Sequence, residues 1–314
     1  MIRKRQQKVK RRHFCLLVNP QAADYERHLI RRLTSAIRKS GCYYTVLEPN
    51  SAIELFTLAR QATGARKLSR FLGQHVSRRG KITALVACGG DGTFNLVARS
   101  AMETGVPVGI LPMGRMNNIA RAIHDSVDPD VAIKKILSGR YRRIDSARAA
   151  NQVFFGSVGV GFTAELARAQ IGKRTPRFGL GWSQLGSRAA AEVAVTSIVL
   201  KVDSFRFEVS PLIFNVNLLP YSAGLPLSLA SIPDDGRAEV IFDLGNKAGE
   251  FGSFTRSIYK GKYLYGNDVR LYRGKTITCQ PIKGKTLYLD GELIELPANV
   301  LEIQVGPGQV NVFC

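Results

Sequence analysis

The chain has 314 residues, enough for two domains, with the 45% hydrophobic and 22% charged residues of an ordinary soluble globular protein. Lys plus Arg number 45 against 24 Asp plus Glu, a formal charge of +21, which points to an acidic partner such as a nucleotide, a nucleic acid or an anionic membrane. Five widely spaced cysteines without a Cys-x-x-Cys pair fit a reducing cytoplasm and argue against a structural zinc, and no apolar run approaches the ~20 residues of a membrane span.

Residues 1–12 carry seven basic side chains and no acid. Such a tail (1–13) suits anionic lipid at about 1 kcal/mol per charge near the surface, and equally RNA or plain solvent. Arg11-Arg12 ahead of Phe14 has the form of an export signal, but the apolar stretch stops at Asn19-Pro20, too short for one. Phe14–Val18 predicts a first strand. Leu29, Ile30, Leu33 and Ile37, at helical spacing, predict a helix ended by Gly41. Tyr43–Leu47 reads as a second strand and Ile53–Ala62 as a second helix, followed by a basic helix over Arg66–Arg79.

Ile82–Ala87 is a short apolar run with β-branched residues, the pattern of a buried parallel strand. It leads into Cys88-Gly89-Gly90-Asp91-Gly92-Thr93-Phe94-Asn95, after which Leu96, Val97, Ala98 and Met102 keep a helical face until Gly105 and Pro107. Three glycines in a strand-to-helix turn let the backbone take φ > 0 and let a ligand approach the amides closely, as phosphate would, with Thr93 as the helix cap. Asp91 is the odd member, because a carboxylate repels phosphate unless a cation such as Mg²⁺ lies between them. The plainer alternative is a glycine turn with a solvated Asp.

Val106–Leu111 predicts a fourth strand, running into Pro112-Met113-Gly114-Arg115-Met116-Asn117-Asn118, and Ile119–Ile123 and Val131–Leu137 predict short helices. Strand and helix alternate over residues 14–140, which predicts a three-layer, Rossmann-like α/β domain with its site at the strand C-termini. From 141 to 314 the texture changes to short strands: Arg143–Ala147, Val153–Val158, Phe205–Val209, Ile213–Leu218, Ala238–Leu244, Val269–Tyr272, Thr276–Cys279, Thr286–Leu289, Leu301–Val305 and Val310–Phe313. Helices are expected over Thr163–Ala169, Arg188–Leu200 and Phe251–Tyr265. This half predicts an antiparallel β-sandwich, its C-terminal segment free to return to the first domain. Gly159-Val160-Gly161 imitates a dinucleotide fingerprint, but no acid follows at the required distance, so it reads as a tight strand-to-helix turn. Two acidic clusters remain, Pro233-Asp234-Asp235-Gly236 and Asp290-Gly291-Glu292, and each also fits an Asp-Gly hairpin turn.

Gly89-Gly90-Asp91-Gly92-Thr93 followed by Asn95 resembles the nucleotide loop of the diacylglycerol-kinase catalytic-domain family, which includes bacterial lipid kinases and the sphingosine and ceramide kinases. NAD kinases and phosphofructokinases share the Gly-Gly-Asp-Gly core. The collinear set Asn19-Pro20, the glycine loop, Pro112-x-Gly114-x-x-Asn117, Asp235-Gly236 and Asp290-Gly291-Glu292 spans residues 19 to 292 and is much more specific. The resemblance implies an active site in a cleft between the α/β domain and the sandwich. ATP would be held by Asn19, Gly89, Gly90, Asp91, Gly92, Thr93, Asn95, Gly114, Arg115 and Asn117. Asp91 would engage Mg²⁺, and Glu292 would be the general base with Asp290 supporting it. A structural Mg²⁺ would sit on Asp235 and the carbonyls of Ile232 and Arg237. The chain departs from the family at Gln21-Ala22-Ala23, where a glycine is expected, at Leu96, where bacterial relatives are usually acidic, and at Arg115, where relatives have threonine.

The implied activity is an ATP- and Mg²⁺-dependent lipid kinase, turning diacylglycerol into phosphatidic acid at the inner membrane face. Its partners would be ATP, the lipid and the anionic surface; a homodimer is compatible with it and nucleic acid disfavoured. The enzyme alternative is an NAD kinase, although its Asn-Glu pair and Thr-Gly-Ser-rich segment are not recognisable between residues 110 and 235. The alternative of another class is a kinase-like protein that binds anionic lipid or nucleic acid without transferring phosphate. Ala22-Ala23, Leu96 and Arg115 favour it; Asp91 and Asp290-Gly291-Glu292 oppose it.

Overall fold

A computed structural model describes residues 11–64, 81–171, 180–244 and 268–314. Most of the basic tail and the helices expected over Arg66–Arg79 and Phe251–Tyr265 lie outside the described residues. The first half alternates as its periodicity dictates: β1 (His13–Val18), α1 (Arg27–Lys39), β2 (Tyr43–Leu47), α2 (Ala52–Thr63), β3 (Ala84–Gly89), α3 (Asp91–Ala101), β4 (Val108–Pro112), α4 (Asn118–His124) and α5 (Pro129–Ser138). β1, β3 and β4 are buried along their whole length, which is why they read as unbroken apolar runs rather than alternating ones. β2, β1, β3 and β4 are parallel neighbours in that order. The chain leaves β1 toward one side and returns to its other side, which opens a crevice at the strand C-termini. One layer of the core packs α1 and α5 on this sheet, through Leu29, Leu33, Ile37, Ile133 and Ile136; the other packs α2 and α3, through Leu55, Ala59, Phe94 and Val97.

The second half continues as β5 (Tyr141–Ala149), β6 (Gln152–Phe154), β7 (Ser157–Gly161), α6 (Phe162–Gln170), α7 (Leu180–Ala191), β8 (Ile198–Val202), β9 (Phe205–Val209), β10 (Ile213–Asn217), β11 (Ala238–Asp243), β12 (Val269–Gly274), β13 (Thr276–Gln280), β14 (Thr286–Leu289), β15 (Glu292–Glu295) and β16 (Leu301–Phe313). The run expected as one strand over Val153–Val158 is two, broken between Phe154 and Ser157. The helix expected over Arg188–Leu200 is corrected: α7 stops at Ala191, and Ile198–Val202 is strand β8, alternately buried and paired with β13 and β9. Ile198, Leu200 and Val202 have strand spacing, and the long-range pairing decided against the helix.

Residues 301–305 and 310–313 form one bulged strand, and this strand ties the halves together. β16 pairs with β5 along its length, with β13 at its start, and parallel to β4 at Val312 and Val108. The α/β sheet therefore runs on through β16 into β13, β8 and β9, ten strands in all with β5 and β6. The distal part of that sheet faces a second sheet of six strands, ordered β12-β11-β10-β7-β14-β15. Leu200, Val202, Ile277 and Ile303 from one sheet meet Val158, Val216, Val240 and Leu287 from the other in a single apolar core, an α/β unit followed by an antiparallel sandwich. Gly161, at φ +71°, makes the tight turn from β7 into α6 expected of Gly159-Val160-Gly161.

Candidate active site

Four turns meet at the C-terminal ends of the parallel strands. The first follows β1: Asn19 donates its backbone N–H to Cys88 O (3.0 Å) and its carboxamide to Thr93 Oγ1 (3.1 Å), while its Oδ1 accepts from Gln21 N (3.0 Å). The second is the glycine loop between β3 and α3. The third, after β4, brings Gly114 against Gly90: a Cβ at Gly90 would lie 3.0 Å from the Gly114 Cα, so neither position admits a side chain. Asn117, at φ +51°, staples this turn by accepting from Gly114 N (2.8 Å) and donating to Gly114 O (2.6 Å). The fourth is Asp290-Gly291, the reversal between β14 and β15, with φ of +44° and +96°.

Two expectations for the glycine loop are corrected. None of Gly89, Gly90 and Gly92 has a positive φ; their need is close approach, since a Cβ at Gly89 would meet Thr93 and one at Gly92 would lie 3.3 Å from Glu292 Oε1. Thr93 is not the helix cap, because α3 begins at Asp91 with Gly90 before it, and Thr93 instead accepts from Asn19 inside the first turn. Only Gly90 separates β3 from α3, so the helix starts three positions earlier than a threonine cap requires.

These turns enclose a cleft of about 340 Å³. Asn19, Gly90, Asp91, Gly92, Thr93, Gly114, Arg115, Gly291 and Glu292 line it, together with Gln21-Ala22-Ala23 and Leu96. Of the residues expected to hold a nucleotide, Gly89, Asn95 and Asn117 stand behind the wall. Sequence reasoning missed the wall formed by Pro49, Asn50, Ser51, Ala52 and Leu55. The signal was present: Ser51 and Glu54 have the spacing of a capping box, Ser51 Oγ accepting from Glu54 N (3.1 Å) and Glu54 Oε2 accepting from Asn50 N, one residue before the cap (2.8 Å). Such a box right after a parallel strand places a helix N-terminus at the crevice.

The three carboxylates of the site have different surroundings. Asp91 is buried, and its oxygens accept from Asn118 N (3.0 Å) and Ile119 N (2.9 Å), the first amides of α4. Burial pushes its carboxyl up to about 6; the Ile119 and Asn118 amides pull it down, neighbouring Asp290 pushes it up and Arg121 pulls it down. Asp290 is buried as well and accepts four bonds: from Phe155 N (2.7 Å) and Asn95 Nδ2 (2.9 Å) on one oxygen, and from Gly156 N (2.9 Å) and Ser157 N (3.0 Å) on the other. Burial pushes it above the usual carboxylate range and those donors pull it back. Asn95 also donates to Val153 O (2.8 Å), so it joins α3 to the second half rather than facing the cleft. Glu292, by contrast, is exposed on the first residue of β15, beside Gly92. Partial desolvation raises its carboxyl, Asp290 raises it further, and Arg99 lowers it. Among the three, Glu292 alone has no hydrogen-bonding partner among the described residues.

Arg115 is exposed at the cleft, and its guanidinium donates to Gln170 O at the end of α6. It is the one basic residue lining the cleft among the described residues. The expected metal site lies elsewhere. Asp235 accepts from Arg237 N (3.0 Å) and is ion-paired with Arg273, so its carboxylate is committed to cations of the chain itself. Among the described residues no group of three or more His, Cys, Asp or Glu is placed to hold a metal ion. In this structure the Asp235 carboxylate is taken up by Arg237 N and Arg273.

Residues 13–149 match the family model of the diacylglycerol kinase catalytic domain. The diacylglycerol kinase of Staphylococcus saprophyticus is 25% identical over 225 residues, covering 70% of this chain and 74% of that protein. The diacylglycerol kinase of Staphylococcus aureus strain RF122 is 24% identical over 225 residues, covering 70% and 71%. A diacylglycerol kinase structure from Bacillus anthracis superposes with a TM-score of 0.69 at 15% identity, and a putative one from the same organism with 0.70 at 18%, each covering 96% of both chains. At these identities the two structures speak for the fold alone, and they extend it over the antiparallel half that the family model does not reach. Residues 13–149, similar to the diacylglycerol kinase catalytic domain, carry three of the four turns that form the cleft.

Proposed function

We propose that the protein is an ATP- and Mg²⁺-dependent lipid kinase that moves the γ-phosphate of ATP to a lipid hydroxyl, diacylglycerol giving phosphatidic acid. The observation that carries this reading is Glu292, a carboxylate without a hydrogen-bond partner among the described residues, set beside Gly92 where two glycine turns and a helix start converge and raised in proton affinity by partial desolvation and by Asp290. The match over residues 13–149 and the diacylglycerol kinases among its relatives support it.

The nucleotide phosphates lie against Gly90, Gly92, Thr93 and Gly114, where missing side chains leave backbone close to the ligand, and Arg115 adds charge. Asp91, the buried acid lining the cleft, would engage the divalent ion that accompanies the nucleotide. That ion, when bound, offsets the charge of the transferring phosphoryl group. The lipid hydroxyl oxygen forms a bond to the γ-phosphorus, the bond to the bridging oxygen breaks, and ADP leaves with its electron pair. Glu292 takes the hydroxyl proton. Asp290 touches no substrate in this scheme; its four hydrogen bonds fix the turn that aims Glu292. Residues 14–140 serve as the nucleotide half and 141–314 as the lipid half, with β16 common to both. The excess of basic residues suits peripheral docking at the cytoplasmic face of an anionic membrane, and no helix among the described residues is long and apolar enough to cross one.

Mixed micelles of diacylglycerol with γ-labelled ATP test the reading. Label should enter the lipid, and Glu292→Gln should lower turnover by about 10² or more with little change in ATP affinity. Label in no member of a lipid panel, while ATP still binds, would reject the assignment.

A further inference from the structure

Toward the opposite edge of the second sheet from Glu292, Glu239 of β11 stands directly opposite Arg273 of β12. Glu239 on β11 and Glu292 on β15 are four strand positions apart, roughly 19 Å at ~4.8 Å per strand. The Glu239 side chain is 1% exposed, and burial raises its carboxyl. Ser231 is its other polar neighbour. Burial of an ionised carboxylate in this state is unfavourable without a compensating cation. The Arg273 Nε lies 3.0 Å from Glu239 Oε1, and the other edge of the same guanidinium pairs with Asp235. Asp235 is anchored in turn by Arg237 N (3.0 Å). One side chain thus spans two carboxylates of a turn and a strand, in the place where the Asp-Gly motif leads one to expect a metal ion.

We propose that Arg273 is a tethered cation: it holds Asp235 and Glu239 together as a divalent ion would, and makes the β10–β11 connection independent of metal. Arginine suits this task because its planar fork donates along two edges and stays charged at every working pH. Arg273 is itself about one-third exposed, at 37%. A hydrated divalent ion needs several oxygen ligands at ~2.0–2.6 Å and could enter between these carboxylates only by displacing the guanidinium. The inference concerns the second sheet alone and does not depend on the kinase reading.

Thermal melting and Mn²⁺ titration of the full chain, both without nucleotide, test it. The wild type should melt at the same temperature in EDTA and in excess Mg²⁺. Arg273→Gln should melt lower in EDTA, bind one more Mn²⁺ than the wild type, and regain stability as that ion binds. Adding Asp235→Asn and Glu239→Gln to that variant should remove the extra ion, and Arg273→Lys, which keeps the charge, should not acquire it. A wild type that loses stability in EDTA and regains it with Mg²⁺, in a manner abolished by Asp235→Asn, would overturn the proposal without any arginine variant. So would an Arg273→Gln protein that binds no additional Mn²⁺.

Discussion

Asp290→Asn changes one atom at the turn that aims Glu292, and its cost can be worked from the four hydrogen bonds. The carboxylate answers Asn95 and Phe155 on one oxygen, and Gly156 and Ser157 on the other. An amide has one oxygen, so whichever way it turns it accepts from two of these donors and points its NH₂ at the other two. Two bonds to a charged acceptor are lost, at about 1.5–3 kcal/mol each, giving about 3–6 kcal/mol. Turning the Asn95 carboxamide to offer its oxygen would recover part of this but would break its 2.8 Å bond to Val153 O. At roughly 2–4 °C per kcal/mol, the melting temperature should fall on the order of 10 °C. Glu292→Gln, two residues on but exposed and unpaired, should stay within about 0.5 kcal/mol of the wild type in the same melt. Calorimetric or circular-dichroism melts of the two variants provide the comparison. If Asp290→Asn melts with the wild type, the four bonds do not fix the turn and the positioning argument fails.

Asp91 should leave a signature in pH. Its folded carboxyl, at about 6, lies above the usual 3.8, so the neutral form is favoured by the fold. This contribution is fully present below pH ~3.8 and is lost as pH rises through about 6, worth on the order of 3 kcal/mol for a buried group. Urea midpoints across that range should show the falling component in the wild type and not in Asp91→Asn, which should also lose phosphate transfer; a variant with near-normal turnover removes Asp91 from the mechanism. Arg115→Thr should weaken ATP binding by about 1.5–3 kcal/mol, with Ala23→Gly recovering part of it, in a direct ATP titration; tighter binding would mean that Arg115 obstructs the cleft. Removing residues 2–10 should weaken sedimentation with anionic vesicles, most at low salt, without loss of activity on a short-chain soluble lipid. The deletion must stop before Arg12, whose guanidinium donates to Leu137 O (2.6 Å) and whose carbonyl accepts from Tyr43 N (2.9 Å). Unchanged vesicle binding would assign docking to another surface.

Local sequence determined the elements that local physics governs. Fully buried strands gave continuous apolar runs, amphipathic α1 gave its three- and four-residue spacing, and Gly89-Gly90-Asp91-Gly92 and Asp290-Gly291 marked the turns that close on the cleft. Tertiary structure decided what those turns do. Asn95 and Asn117, read as nucleotide contacts, are spent on Asp290 and Gly114, because a carboxamide bonds whatever donor or acceptor folding brings within 3 Å, and chain position does not say which. Asp91 and Asp290 differ from Glu292 through the amides packed around them, 27 to 195 residues away in the chain. Strand β8 and the continuity of β16 with β4, β5 and β13 likewise come from pairing between distant segments, which no local window contains. Arg273 was invisible as a partner of Asp235 and Glu239 for the same reason: the register between β11 and β12 sets it opposite Glu239, and only a folded sheet has a register.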